Sequence, residues 1–281
     1  MAIVGGLHLF ATIGPSPLLC DFGKMLFIED CFNSPRRHGG TEKCYPDREI
    51  PCLRASVVNN FKPANKGEGT LRITVVPTVG GKPLILNNQP YQTPHGDSIY
   101  MDVLRFYLSA IQLQGQGIDY EEKDSYHLIN AEEPGAQTIV LKNIPVGRYK
   151  ALIFNAGTDS LTNVAGAMGG DLDPTRGMYW AWNTGYINVK IEGRSKACST
   201  LHHAFEFHIG GYMPPNQTVR RVALPLKNLV IRENATTSIQ VHVDLAQFFS
   251  HINLASTNQV MIPGAQAAQL ADYFADVFSV N

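Results

Sequence analysis

Apolar residues recurring at every second position constrain this chain most. Leu71, Ile73 and Val75 alternate in this way, as do Leu104, Phe106 and Leu108. Phe205, Phe207 and Ile209 are opposed by Glu206 and His208, and Ile239, Val241, Val243 and Leu245 by Gln240, His242 and Asp244. Successive side chains of a strand point to opposite faces, so these runs read as half-buried, antiparallel strands. After Leu108 the apolar parity flips to Ile111 and Leu113, which predicts a bulge near Ser109 that returns the side chains to the core. Gly80-Gly81 between two apolar runs is hairpin chemistry. Thr138–Ile144 and Arg148–Asn155 flank Pro145-Val146-Gly147, and the second run is apolar on both faces, as a central strand is. Only the tail reads as helix: beyond Pro263-Gly264, Leu270, Tyr273, Phe274, Val277 and Phe278 recur at three-to-four spacing. The expected fold is mainly β, an antiparallel β-sandwich of immunoglobulin-like or Greek-key type with a short C-terminal helix.

The first quarter of the chain lacks this pattern. In 35–40 and 61–69, Gly, Pro, Asn and Lys cluster without apolar periodicity, so residues 1–68 read as an irregular N-terminal segment and linker and 69–281 as the sandwich domain. The apolar stretch Ala2–Leu19 fits a degenerate secretion signal poorly, with no basic residue ahead of it and Pro15 and Pro17 inside it, and a buried N-terminal segment or a start placed upstream of the true one are the competing readings. Cys20, Cys31, Cys44 and Cys52 crowd together while Cys198 stands alone; the odd count leaves at least one unpaired, and no CxxC spacing marks a zinc site. Lys+Arg 23 against Asp+Glu 24 leaves a net charge of −1, without the basic surplus that phosphate binding requires. No stretch reaches the roughly 18 apolar residues of a spanning helix. Nucleic acid and a membrane-spanning role are thereby disfavoured.

The common catalytic signatures, GxSxG, a Gly-rich phosphate loop and HExxH, are missing, so a binding protein is expected rather than an enzyme. The unusual segment is Gly177–Gly193, which holds both tryptophans of the chain, Trp180 and Trp182. On a strand Met178, Trp180 and Trp182 share one side, and core packing alone accounts for such a trio. Upstream, Asp171 and Asp173 sit in a Gly-rich turn, with too few carboxylates for a calcium loop and the right chemistry for turn caps.

Six segments, Phe106–Leu113, Asp124–Asn130, Gly147–Asn163, Leu172–Gly193, Phe205–Gly211 and Val260–Val280, together resemble the MbnP family. The WxWxxGY core at Trp180–Tyr186 and the FHxGG run at Phe207–Gly211 carry most of the likeness. Members of that family are copper-binding periplasmic or outer-membrane-associated proteins, often encoded beside a MauG-like di-haem protein, MbnH. The resemblance implies that the di-haem partner oxidises a tryptophan to kynurenine, and that the modified residue helps form a copper site with histidine ligands. The matching positions here are Trp180 and Trp182, either of which could be converted. Kynurenine exposes an arylamine and a ketone, whereas indole is a poor ligand; imidazole and thioether donors suit copper.

Among the histidines, His127 and His208 fall inside family-like segments and are the lead ligand candidates, followed by His95 in its Pro-His-Gly turn. Adjacent residues on an extended chain point apart, which weighs against joint chelation by His202 and His203. His242, on a polar strand face, reads as solvent-exposed. Met178 is the candidate soft ligand. The reading that competes is a non-metal extracellular β-sandwich interaction module, in which both tryptophans pack or stack on a ligand.

Overall fold

The structure, a computed structural model, describes residues 67–183 and 185–280. The expectations for the apolar stretch 2–19, for the irregular segment as far as residue 66 and for Cys20, Cys31, Cys44 and Cys52 lie outside the described residues. The strands form two sheets. The smaller holds β1 (Glu68–Val79), β2 (Lys82–Pro83), β7 (Thr138–Pro145), β13 (Thr236–Asp244) and β15 (Phe278–Val280), ordered β15-β13-β1-β2 with β7 also on β1. The larger runs β12-β8-β4-β10-β11-β14, with β3, β5 and β6 along β4 and β9 on β10. Its strands are β3 (Pro90–Gln92), β4 (Ser98–Gly115), β5 (Asp119–Glu121), β6 (Tyr126–Asn130), β8 (Gly147–Ala156), β9 (Tyr179–Trp180), β10 (Gly185–Ser195), β11 (Ala204–Gly210), β12 (Arg220–Ile231) and β14 (Gln259–Val260).

The sheets pack through the alternating residues, which makes the expected β-sandwich. Leu71, Ile73 and Val75 of one sheet share a single buried cluster with Leu104, Phe106, Leu108, Phe205, Phe207 and Ile209 of the other. The predicted bulge is present: register shifts between Ser109 and Gln112, Ala110 takes φ 50°, and Ile111 and Leu113 return to the core. Ser125 restores the broken ladder by accepting from Ala110 N–H through its carbonyl (3.1 Å) and from Ile111 N–H through its hydroxyl (3.0 Å). Gly80 and Gly81 turn the chain with φ 59° and 75°, values a side chain would resist. The apolar run after them is irregular, since β2 ends at Pro83. β8 lies between β12 and β4 as a central strand, and Pro145-Val146-Gly147 carries the chain from one sheet to the other.

Some local expectations yield to tertiary context. β13 pairs parallel with β1, and β14 parallel with β11, because alternation reports burial and says nothing of direction. Leu245 opens a short helix α2 (Leu245–Phe249) capped by Asp244, whose carboxylate accepts from Ala246 N–H (3.1 Å). Asp159 likewise caps α1 (Ser160–Ala165), accepting from Thr162 N–H (2.8 Å). The tail helix α3 (Ala265–Ala275) stops short of Phe278, which enters β15 and pairs with Val243 on the open edge of β13. No helix among the described residues is long and apolar enough to cross a membrane.

Candidate functional site

The larger sheet has a second burial zone on the side away from the smaller sheet. Register gives its faces: Arg105 pairs with Lys190 and Lys190 with His208, and residues directly opposite share a face. That outer face carries Tyr107, Leu128 and Tyr186, which close over Leu172, Met178, Trp180 and Ile187 as a small separate core. Loop 166–177 is shaped by its aspartates. Asp173 accepts from Thr175 N–H (2.8 Å) and its hydroxyl (2.7 Å), and Asp171 accepts from Leu128 N–H (3.0 Å), pinning the loop to β6. Those hydrogen bonds hold the Asp173 carboxyl below its ordinary value. Gly177, at φ 73°, then turns the chain into β9 against β10.

The two tryptophans have different surroundings. β9 ends at Trp180, so Met178 and Trp180 are buried together, whereas Trp182 sits in the following turn with 64% of its surface exposed. This corrects the expected single strand face, because the strand is two residues long. The indoles nevertheless touch, with ring centroids 5.8 Å apart and planes tilted by 49°. Trp180 lies on bare backbone: a Cβ at Gly210 would stand 2.6 Å from its six-membered ring, so the first glycine of the FHIGG run is required by close approach. Beside Trp180 is a cavity of about 230 Å³, walled by Asn183, Tyr186, Tyr212, Met213 and Asn216.

A buried amide network fixes the floor. Asn188 accepts from Thr158 N–H (2.9 Å) and the Thr158 hydroxyl (3.0 Å) and donates to the Thr218 hydroxyl (2.9 Å). Asn163 donates to the Thr158 hydroxyl (3.0 Å) and accepts from Tyr186 N–H (2.8 Å). No buried side-chain N or O among the described residues lacks a partner. Burial pushes the Tyr107 and Tyr186 hydroxyls up, so both stay neutral at any ordinary pH.

The candidate ligands fall in separate places. His208 is on the outer face, two residues from Gly210, with Nε2 2.7 Å from Glu192 Oε1. His127 pairs with Leu108 of the main core and therefore faces the other way, its Nε2 2.7 Å from Glu122 Oε2. His95 is exposed in its turn, with Nε2 2.9 Å from the Ser250 carbonyl. Of the candidate ligands only Met178 shares a cluster with Trp180, and no three His, Cys, Asp or Glu among the described residues converge as a metal site. His202 and His203 occupy a loop at φ 58° each, where Cys198 is buried with a free thiol. Sequence reasoning did not find the carboxylate partners Glu122 and Glu192; only the Gly210-Gly211 pair signalled the close approach of Trp180.

The His208 hydrogen bond, followed by the charge of Lys190, holds the Glu192 carboxyl below the usual glutamate range despite partial burial. A carboxyl depressed in the folded state stabilises above its unfolded pKa, roughly 4.3, and that stabilisation is lost as pH falls through the folded value. The stability difference between wild type and His208→Ala is therefore largest near neutrality and shrinks below about pH 4.3. Urea unfolding across pH 3–7 checks this; a constant difference counts against the pair.

The chain is a β-sandwich that carries an aromatic cluster, built with the help of loops, on the outer face of its larger sheet. The MbnP family model matches residues 68–262, and the chain belongs to the MbnP family. A solved structure, MbnP from Methylosinus trichosporium, shares the fold: its TM-score is 0.50 at 16% identity, over 69% of this chain and 83% of that one. No curated protein sequence matches.

Proposed function

We propose that this chain is a copper-handling binding protein of the cell envelope, in which a di-haem partner oxidises the tryptophan pair. One indole becomes kynurenine and completes the copper site. The observation that carries this reading is the contact between an exposed indole, Trp182, and a buried one, Trp180, beside a cavity. An external oxidant reaches Trp182 directly, and ring contact lets Trp180 share the electron vacancy.

The donors fit copper only in part. His208 lies on the outer sheet face, roughly 7 Å along the strand from the glycine under Trp180, and Met178 packs in the same cluster as Trp180. These two would hold the ion, with the arylamine or ketone of kynurenine as the donor that the unmodified residues lack. His127 and His95 stand elsewhere. A competing reading, a non-metal interaction module, is favoured by the carboxylates that already engage His208 and His127.

Intact mass and copper content separate the two. Conversion replaces one carbon by one oxygen, so co-expression with the di-haem partner adds about 4 Da on a peptide containing Trp180 and Trp182, accompanied by stoichiometric copper. Unchanged mass and no copper, after exposure to active partner, leave the interaction module.

A further inference from the structure

Residues 160–170, 177–189, 207–219 and 245–271 contain no Asp, Glu, Lys or Arg, in a chain that is 17% charged. The fold brings parts of all four together. Ser160 Oγ donates to the Tyr212 carbonyl (3.3 Å), Met168 N–H donates to the Tyr186 hydroxyl (3.1 Å), and the cavity beside Trp180 is bounded by Gly211, Pro214, Pro263 and Gly264. Leu161, Val164, Met168, Trp182, Met213 and Ile262 are exposed on these segments, with Leu161 at 82%. With Met261 they are seven of the eleven large hydrophobics exposed among the described residues. Single exposed apolar side chains are ordinary; a cluster without charge marks an interaction surface.

We propose that this uncharged apolar end of the sandwich is the docking face for the redox protein that oxidises the tryptophan pair, and that the partner meets it with an uncharged surface around its haem edge. This rests on the reading of Trp180 and Trp182 as the oxidation target. Charge selects the occupant. An anionic membrane surface calls for Lys and Arg, and these segments have none. Arg220 and Asp272, charges at the border of these segments, already pair with each other, so a partner with an ionic docking face would desolvate its charges against segments that hold no counter-charge of their own. Redox encounters bury little area, under about 1,200 Å², which side chains of this size cover. Trp182 stands among them as the electron donor: each electron leaving its indole reduces the partner's oxidised haem by one, and the indole keeps its proton as a cation radical.

The test uses the full chain and its di-haem partner, with binding read by quenching of tryptophan fluorescence and conversion by intact mass. Between about 50 and 500 mM salt the binding constant changes less than about twofold, where a charge-steered pair would lose about tenfold or more. The double variant Leu161→Ser/Ile262→Ser, at two exposed positions, weakens binding at least about tenfold, while conversion by a small photogenerated ruthenium(III) oxidant proceeds as in wild type. Steep salt dependence, wild-type binding by the variant, no complex at all, or self-association through these residues each overturn the proposal. Complex formation through this face with both tryptophans unconverted, by partner and by small oxidant, leaves the docking face standing and removes the proposed function.

Discussion

Phe274→Ala lowers the unfolding free energy by about 3–5 kcal/mol. Phe274 is 1% exposed, on the inward side of α3, and its ring meets Phe106 at 5.3 Å, Phe278 at 5.4 Å and Phe248 at 6.2 Å, all edge-on. Phe106 belongs to the larger sheet, Phe278 to the smaller and Phe248 to α2, so one side chain joins four elements. Truncation removes its transfer free energy and leaves a cavity that two sheets, each held by its own ladder, cannot collapse to fill. Phe274→Leu keeps most of the volume and costs about 1 kcal/mol. Urea unfolding with an unchanged slope measures both; a loss under about 1 kcal/mol for alanine would show that α3 repacks freely.

The alternation that made the sandwich legible comes from burial on one face, and burial is what the fold enforces. Hence the sequence alone assigns Leu104, Phe106 and Leu108 to the core, and the parity flip to Ile111 marks the bulge. What alternation does not encode is the partner of a strand. β1 and β13 pair in parallel register, Ile73 with Ile239 and Val75 with Val241, across most of the domain's length, and nothing local to either strand carries that information. Phe278 left the helical pattern for the same reason, since β13 had an open edge beside it. In the site, the Trp-x-Trp spacing was legible but its geometry was not. A strand of two residues and a turn put one indole in the core and the other in solvent. The histidine ranking failed to see faces: His127 and His208 both lie on strands of one sheet, yet register points them to opposite sides.

The amide network beneath the site makes a comparably large prediction. Asn188→Ala costs roughly 2–4 kcal/mol, because it leaves the Thr158 N–H without its acceptor and takes a donor from the Thr218 hydroxyl, all in a buried setting. Asn188 is 1% exposed, as are Thr158 and Thr218, so water cannot replace the lost bonds without opening the structure. Thr218→Val keeps a similar shape but removes two bonds, the one accepted from the Asn188 amide and the one donated to the Gly211 carbonyl, and costs about 1–3 kcal/mol. The two effects differ in reach. Thr158 begins the segment that leads into α1 and Leu161, and Thr218 donates to the Gly211 carbonyl through both its N–H (2.9 Å) and its hydroxyl (3.1 Å), which anchors the loop carrying Met213. Loosening both through Asn188 therefore frees the walls of the cavity beside Trp180 while the two sheets, which do not depend on this amide, stay closed. Hydrogen exchange resolves that difference: the Thr158 amide loses its protection in Asn188→Ala, amides in the β1–β13 ladder lose only the global decrement, and equal losses at both would mean that the network supports the whole fold.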